Sequence, residues 1–163
     1  MSDADLLATV TRAFANRVLP ERVPVTENPE DWEGRDMEKF FRGKAWEQLT
    51  AADLRREGQV DQFFTAEAYA YFLPAYLTQA ILNPDELDVC VDHIAWRFDP
   101  EEGNAWATKR AQKVLGILSG PELGALLDYL RYANHRWNDA TGSYRRAIAT
   151  VEAEVGLRRT SSP

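Results

Sequence analysis

The residue types best suited to chemistry crowd into one short stretch, Asp88-Val89-Cys90-Val91-Asp92-His93. On a helix, Asp88 and Asp92 stand one turn apart, and Cys90 can approach His93 at i, i+3. A thiol beside an imidazole that a carboxylate orients is the arrangement of a cysteine nucleophile. The same acids and His93 offer oxygen and nitrogen donors to a metal. Both readings meet objections. Catalytic cysteines sit in electropositive surroundings that favour the thiolate, whereas this stretch is acidic, and Cys90 between two valines reads as a small buried hydrophobe. A di-metal helical bundle needs Glu-x-x-His pairs on two helices, and the sequence contains no Glu-x-x-His; its other histidine is His135, in Asn134-His135-Arg136-Trp137. The expectation is solvated acids and two helix-end histidines. No catalytic, metal or cofactor-binding residue is assigned. Gly-x-Ser-x-Gly elbows, phosphate-binding loops and dinucleotide fingerprints do not occur.

A second concentration of chemistry is electrostatic. Glu27, Glu30, Asp31, Glu33, Asp36 and Glu38 surround Trp32, downstream of Pro20, Pro24 and Pro29. A tryptophan ringed by carboxylates on a proline-rich loop suits a cationic protein surface, because the indole supplies apolar area and the acids supply complementarity. Glu30, Asp31, Trp32, Glu33 and Asp36 are the candidate partner-binding residues. The plainer alternative is that Trp32 pins its loop to the body. Trp46, Trp96 and Trp106 lie in helical contexts and are expected in the core. Tyr69, Tyr71 and Tyr76 belong either to the core or to a groove.

Charge narrows the partners. With 19 Lys and Arg against 26 Asp and Glu, the chain carries −7 and repels phosphate backbones and anionic lipid. Lys109-Arg110-Lys113 and Arg158-Arg159 are the densest basic groups; neither forms a stripe with the interleaved aromatics that single strands stack on. The expectation is a basic protein partner, with no nucleic acid and no membrane; the oligomeric state stays open. No apolar run approaches the roughly 18 residues a spanning helix needs. The acidic start Met1-Ser2-Asp3-Ala4-Asp5 is unlike a signal peptide, and the lone Cys90 fits the cytosol, the expected compartment.

The elements that must position these groups are helical. Leu6, Leu7, Val10, Phe14 and Val18 recur at helical steps after Asp3, which can cap a helix over 3–17 that Pro20 ends. Residues 19–34 read as an extended loop and 36–42 as a short helix closed by Gly43. Thr50 with Asp53 forms an approximate capping box for another, closed by Gly58. The clearest element runs over 65–82: Tyr69, Phe72, Leu73, Tyr76, Leu77, Ala80 and Ile81 form an unbroken stripe behind a Thr65 cap. Pro74 interrupts it, at about 3 kcal/mol for the missing donor and the ring's crowding of the Ala70 carbonyl. The stripe keeps its phase, so one kinked helix is expected in place of two. Further helices are expected over 84–98, 104–118, 119–137 and 143–155, with a solvated turn at 99–103. The brief alternation of residues 87–91 is the one place a strand competes. The sum is an all-α fold, an irregular bundle of six to seven helices around the kinked helix 65–82, in one domain over 1–157 with a disordered tail at 158–163.

The segment Phe63-Phe64-Thr65-Ala66-Glu67-Ala68-Tyr69-Ala70-Tyr71-Phe72-Leu73-Pro74-Ala75-Tyr76-Leu77 resembles the F-x-T-P-E-A-F-x-Y-Y-L-P-A-Y-L core of a family of uncharacterised small bacterial helical domains. The resemblance extends to Gly43-Lys44-Ala45-Trp46 and, loosely, to 118–132, about half of the chain. Ala66 stands where that pattern has proline. The resemblance implies a bacterial helical domain with Pro74 inside a standing element. It implies no chemistry.

Function is expected from the acidic loop: a non-enzymatic protein-binding domain, in one form an immunity or antitoxin-like protein neutralising a basic partner. The alternatives are a metal-dependent or cysteine hydrolase using Asp88, Cys90, Asp92 and His93, and a small-molecule sensor with a pocket beside Pro74.

Overall fold

In the computed structural model the described residues are 1–19, 21–56, 63–99, 104–137 and 141–161. The expected stops at Pro20 and Gly58, the turn at 100–103 and the last two residues of the tail lie outside them. The chain is all-α: α1 (Asp3–Phe14), α2 (Trp32–Phe41), a 3-10 turn (Trp46–Gln48), α3 (Ala51–Arg55), α4 (Ala66–Leu82), α5 (Pro84–Leu87), α6 (Cys90–Phe98), α7 (Ala105–Ile117), α8 (Gly120–Arg136) and α9 (Ser143–Ser161). The only extended pairing among the described residues is an isolated bridge between Thr26 and Phe64. No helix among them is long and apolar enough to cross a membrane.

α4 is the axis. Thr65 caps it by accepting from the Ala68 amide, and the helix runs through Pro74 without a break, as one element. Its burial exceeds the expected stripe, since only Glu67 and Leu82 of its side chains are exposed. A helix apolar all round belongs in a core, and α1, α3, α5, α6, α7 and the 3-10 turn all pack against α4. α8 lies against α1 on one side and α9 on the other, and α9 returns to α6. Phe41, Phe64 and Phe72, with centroids 5.0 to 5.3 Å apart, join α2 and the approach to α4.

Several boundaries differ from expectation for identifiable reasons. Ser2, not Asp3, caps α1: its hydroxyl accepts from the Asp5 amide while Asp5 reaches back to the Ser2 amide. α1 ends at Phe14, and Val18 is exposed instead of inward. The helix expected over 84–98 divides at Asp88, whose φ of 55° is a left-handed conformation that interrupts the ladder. The expected tail at 158–163 is helical through Ser161. Arg158 explains this: it donates to the Leu115 and Leu118 carbonyls at the C-terminal end of α7 and pairs with Glu154. The end of α7 has orphan acceptors and no basic residue of its own in its last turn. Arg158 from α9 and Arg17 from beyond α1, which donates to the Ile117 carbonyl, satisfy them.

Candidate functional site

The acidic segment is a fixed structure. The Val25 and Thr26 amides donate to Glu38 Oε2 at 2.7 and 3.3 Å, and Arg42 holds that same carboxylate. The Glu27 amide donates to the Phe63 carbonyl and the Thr65 amide to the Val25 carbonyl, each at 2.9 Å. The Thr65 hydroxyl reaches the Pro24 carbonyl. From Asn28 the chain turns into α2: the Asp31 amide donates to the Asn28 carbonyl and the Arg35 amide to the Asp31 carbonyl. Gly34, buried in the first turn of α2, makes this turn feasible. A Cβ there would stand 1.9 Å from the Asn28 carbonyl oxygen, far inside any real contact.

This scaffold presents Trp32 at the first helical position of α2 with 70% of its surface exposed. Trp32 therefore does not pin the loop to the body. Glu30 and Asp31 are exposed and Glu33 is half-buried. Asp31 and Glu33 sit where the helix dipole favours anions. Asp36, one turn beyond Trp32, is engaged by Arg56 at 3.3 Å. Glu30, Asp31, Trp32 and Glu33 thus form one contiguous surface, with Asp36 behind it and partly neutralised.

Two tryptophans expected in the core are on the surface: Trp96 at 50% exposure and Trp106 at 63%. Trp46, by contrast, is buried. Trp106 carries the Arg110 guanidinium 4.9 Å above its ring. Arg110 is itself buried, donates to the Phe64 carbonyl at 2.6 Å and lies 3.9 Å from Glu27. Trp106, expected in the core, is thus an exposed ring that Arg110 links to Glu27 of the acidic segment, a placement that its helical context alone did not reveal.

The members of the Asp88–His93 stretch stand in different settings. Cys90 is buried with Sγ 4.0 Å from the Leu54 carbonyl. His93 is buried in α6 and its ring lies 5.0 Å from that of Trp96. Asp92 accepts from the Tyr144 hydroxyl at 3.3 Å, and Asp88 points toward Arg55 at 3.7 Å. Among the described residues no group of three or more His, Cys, Asp or Glu side chains could hold a metal ion. Of the expected tyrosine set, Tyr69 and Tyr76 are core and stack at 6.2 Å, while the half-buried Tyr71 donates to the Lys44 carbonyl. Pro74 is buried. A cleft of about 890 Å³ lies away from it, between α1 and the start of α8, lined by Arg12, Arg17 and Glu122.

A family model described as a family of unknown function (DUF6714) matches residues 3–150, most of the chain. No curated protein matches it, and no solved structure does.

Proposed function

We propose, for a chain that belongs to a family of unknown function (DUF6714), a non-enzymatic protein-binding role in which Glu30, Asp31, Trp32 and Glu33 engage a cationic surface. The observation that carries it is the exposed indole of Trp32 among carboxylates, on a segment that hydrogen bonds and the Gly34 contact hold in place. A tryptophan offers roughly 200 Å², and with 70% of it in water the apolar burial still available to a partner is worth roughly 3 kcal/mol. A rigid aromatic anchor binds without a large ordering cost. Flanking carboxylates select for lysine and arginine and speed encounter. In a bacterium, the setting implied by the resemblance over residues 63–77, and in the cytosol that the lone Cys90 fits, a concrete form is an immunity or antitoxin-like protein that neutralises a basic partner.

The test is capture of a basic protein from a native lysate of the source organism by the tagged full chain. Trp32→Ala with Glu30→Ala should abolish the capture while leaving the melting temperature unchanged, since both side chains are exposed. Capture that survives the double substitution overturns the assignment of this surface.

A further inference from the structure

The cleft of about 890 Å³ between α1 and the start of α8 has the size of a site for a small organic molecule, for which about 300–1,000 Å³ is usual. Its polar wall is built on the buried Glu122. Arg17 meets that carboxylate through Nε and Nη2, and Nη2 also donates to the Ile117 carbonyl. The guanidinium is therefore held in one orientation, and its Nη1 edge has no acceptor among the described residues. Arg12, in the last turn of α1, lines the same cleft, is exposed and forms no ion pair among the described residues. Two guanidinium groups against one carboxylate leave the cleft lining with a single positive charge, in a chain whose net charge is −7. The rest of the wall includes Ala13, Val18 and Pro121. Val18 reaches it because α1 stops at Phe14, so the valine that helical phase would turn inward is left 74% exposed beside the cleft.

We infer that this cleft binds a small organic carboxylate with an apolar body, its charged end on Arg12 and Arg17 and its body against Ala13, Val18 and Pro121. The single net charge of the lining matches a monoanion. A carboxylate also presents two oxygens in a plane, the geometry that the guanidinium fork accepts best. Glu122 has already oriented Arg17, so the ligand does not bear the cost of ordering that side chain. Glu122 itself competes little for the ligand's place, because both of its oxygens are engaged by Arg17 and Ser119. Alkyl groups of the ligand gain burial against side chains that face water in the free protein. No residue of the acidic surface lines this cleft, so the two assignments stand or fall separately.

Isothermal titration calorimetry of the full chain with decanoate reads the binding directly, with decylammonium as a probe of the same apolar body and opposite charge. Decanoate should bind with a dissociation constant of about 0.1 mM or tighter, and decylammonium should not bind in that range. Arg12→Gln should weaken decanoate about tenfold, the worth of one charge-assisted contact. Val18→Glu, which sets a carboxylate against the ligand body, should weaken it at least as much. Both positions are exposed, so each variant should keep the wild-type melting temperature, which separates lost binding from lost folding. A wild-type chain that binds no decanoate up to about 1 mM, or that takes up decylammonium equally well, overturns the inference. So does decanoate binding that either substitution leaves unchanged, since the ligand would then sit elsewhere.

Discussion

Replacing Glu122 by glutamine should cost stability at neutral pH and nothing in acid. Glu122 lies in the first turn of α8, where it completes a capping box with Ser119. Its carboxylate accepts from the Ser119 amide at 2.6 Å, from Arg17 Nε at 2.7 Å and from Arg17 Nη2. One buried carboxylate thereby ties the segment after α1 to the start of α8, and Arg17 carries the tie on to the end of α7 through the Ile117 carbonyl. Glutamine keeps the shape and can still accept from Ser119, so the cap persists. What disappears is the charge facing a guanidinium whose side chain is 15% exposed. Breaking a fully buried pair costs about 3–5 kcal/mol. Here the amide still accepts one bond and Arg17 keeps the Ile117 carbonyl, so the expected loss is about 2 kcal/mol. For a chain of this length that corresponds to about 4–8 °C in melting temperature.

The pH dependence gives the test its force. Burial opposes the charge on Glu122, but the hydrogen bonds from Arg17 and Ser119 and the Arg17 charge outweigh it and hold the carboxyl below its ordinary value of 4.5. A carboxylate with a depressed folded pKa contributes fully above its unfolded value, and the contribution fades as pH falls through the folded one. Urea denaturation at neutral pH and stepwise below 4.5 should therefore show the wild-type and Glu122→Gln curves converging in acid. The cycle with Arg17→Met should be non-additive by about 1–2 kcal/mol. A gap that persists unchanged into acid, or single effects that add, would refute the assignment of the loss to this ion pair.

Two further substitutions probe the scaffold. Gly34→Ala gains about 1 kcal/mol of helix propensity but places Cβ 1.9 Å from the Asn28 carbonyl oxygen, a backbone atom that gives way only if the loop moves. The net expectation is a loss of about 1–3 kcal/mol, and a melting temperature that rises instead would contradict the close approach of Asn28 to α2. Arg158→Ala removes the donor to the Leu115 and Leu118 carbonyls. It should cost about 1–2 kcal/mol and speed amide exchange over the last turns of α9; unchanged protection there would deny Arg158 its role in ordering the helix end.

What the sequence made legible follows from which signals are local. Caps at Thr50 and Thr65 are set by a hydroxyl and its own next turn, and both hold as expected. The continuity of α4 through Pro74 followed from the phase of its stripe, a property of one segment. The helical extent of α9 did not follow, because it depends on Arg158 reaching carbonyls about 40 positions away in sequence. The division at Asp88 was equally hidden: a single residue with φ of 55° leaves the spacing of Leu87, Val91 and Ile94 unchanged. Of the site, the composition of residues 30–36 was legible. Its rigidity was not, since that comes from Phe63, Thr65 and Gly34 converging on the strip 25–28.

The exposed tryptophans mark a different kind of miss, one that helix geometry could have prevented. At roughly 100° per residue, the apolar face of α7 is centred by Ala107, Ala111, Val114 and Leu115, and Trp106 falls roughly 120° from that centre. On α6 the face made by Val91, Ile94, Ala95 and Phe98 leaves Trp96 nearly opposite. Both rings were assigned to the core for their helical contexts, yet a helical context says only that burial is on offer, and position on the wheel sets whether the fold collects it. Where the two disagree on a surface helix, the uncollected area is left facing solvent, available to another molecule. Trp106 fits that account together with Lys109 and Lys113, which extend its face away from the core. A large apolar side chain placed off its helix's stripe is thus better evidence for an interface than any acidic residue nearby, because a solvated carboxylate is already satisfied and a solvated indole is not.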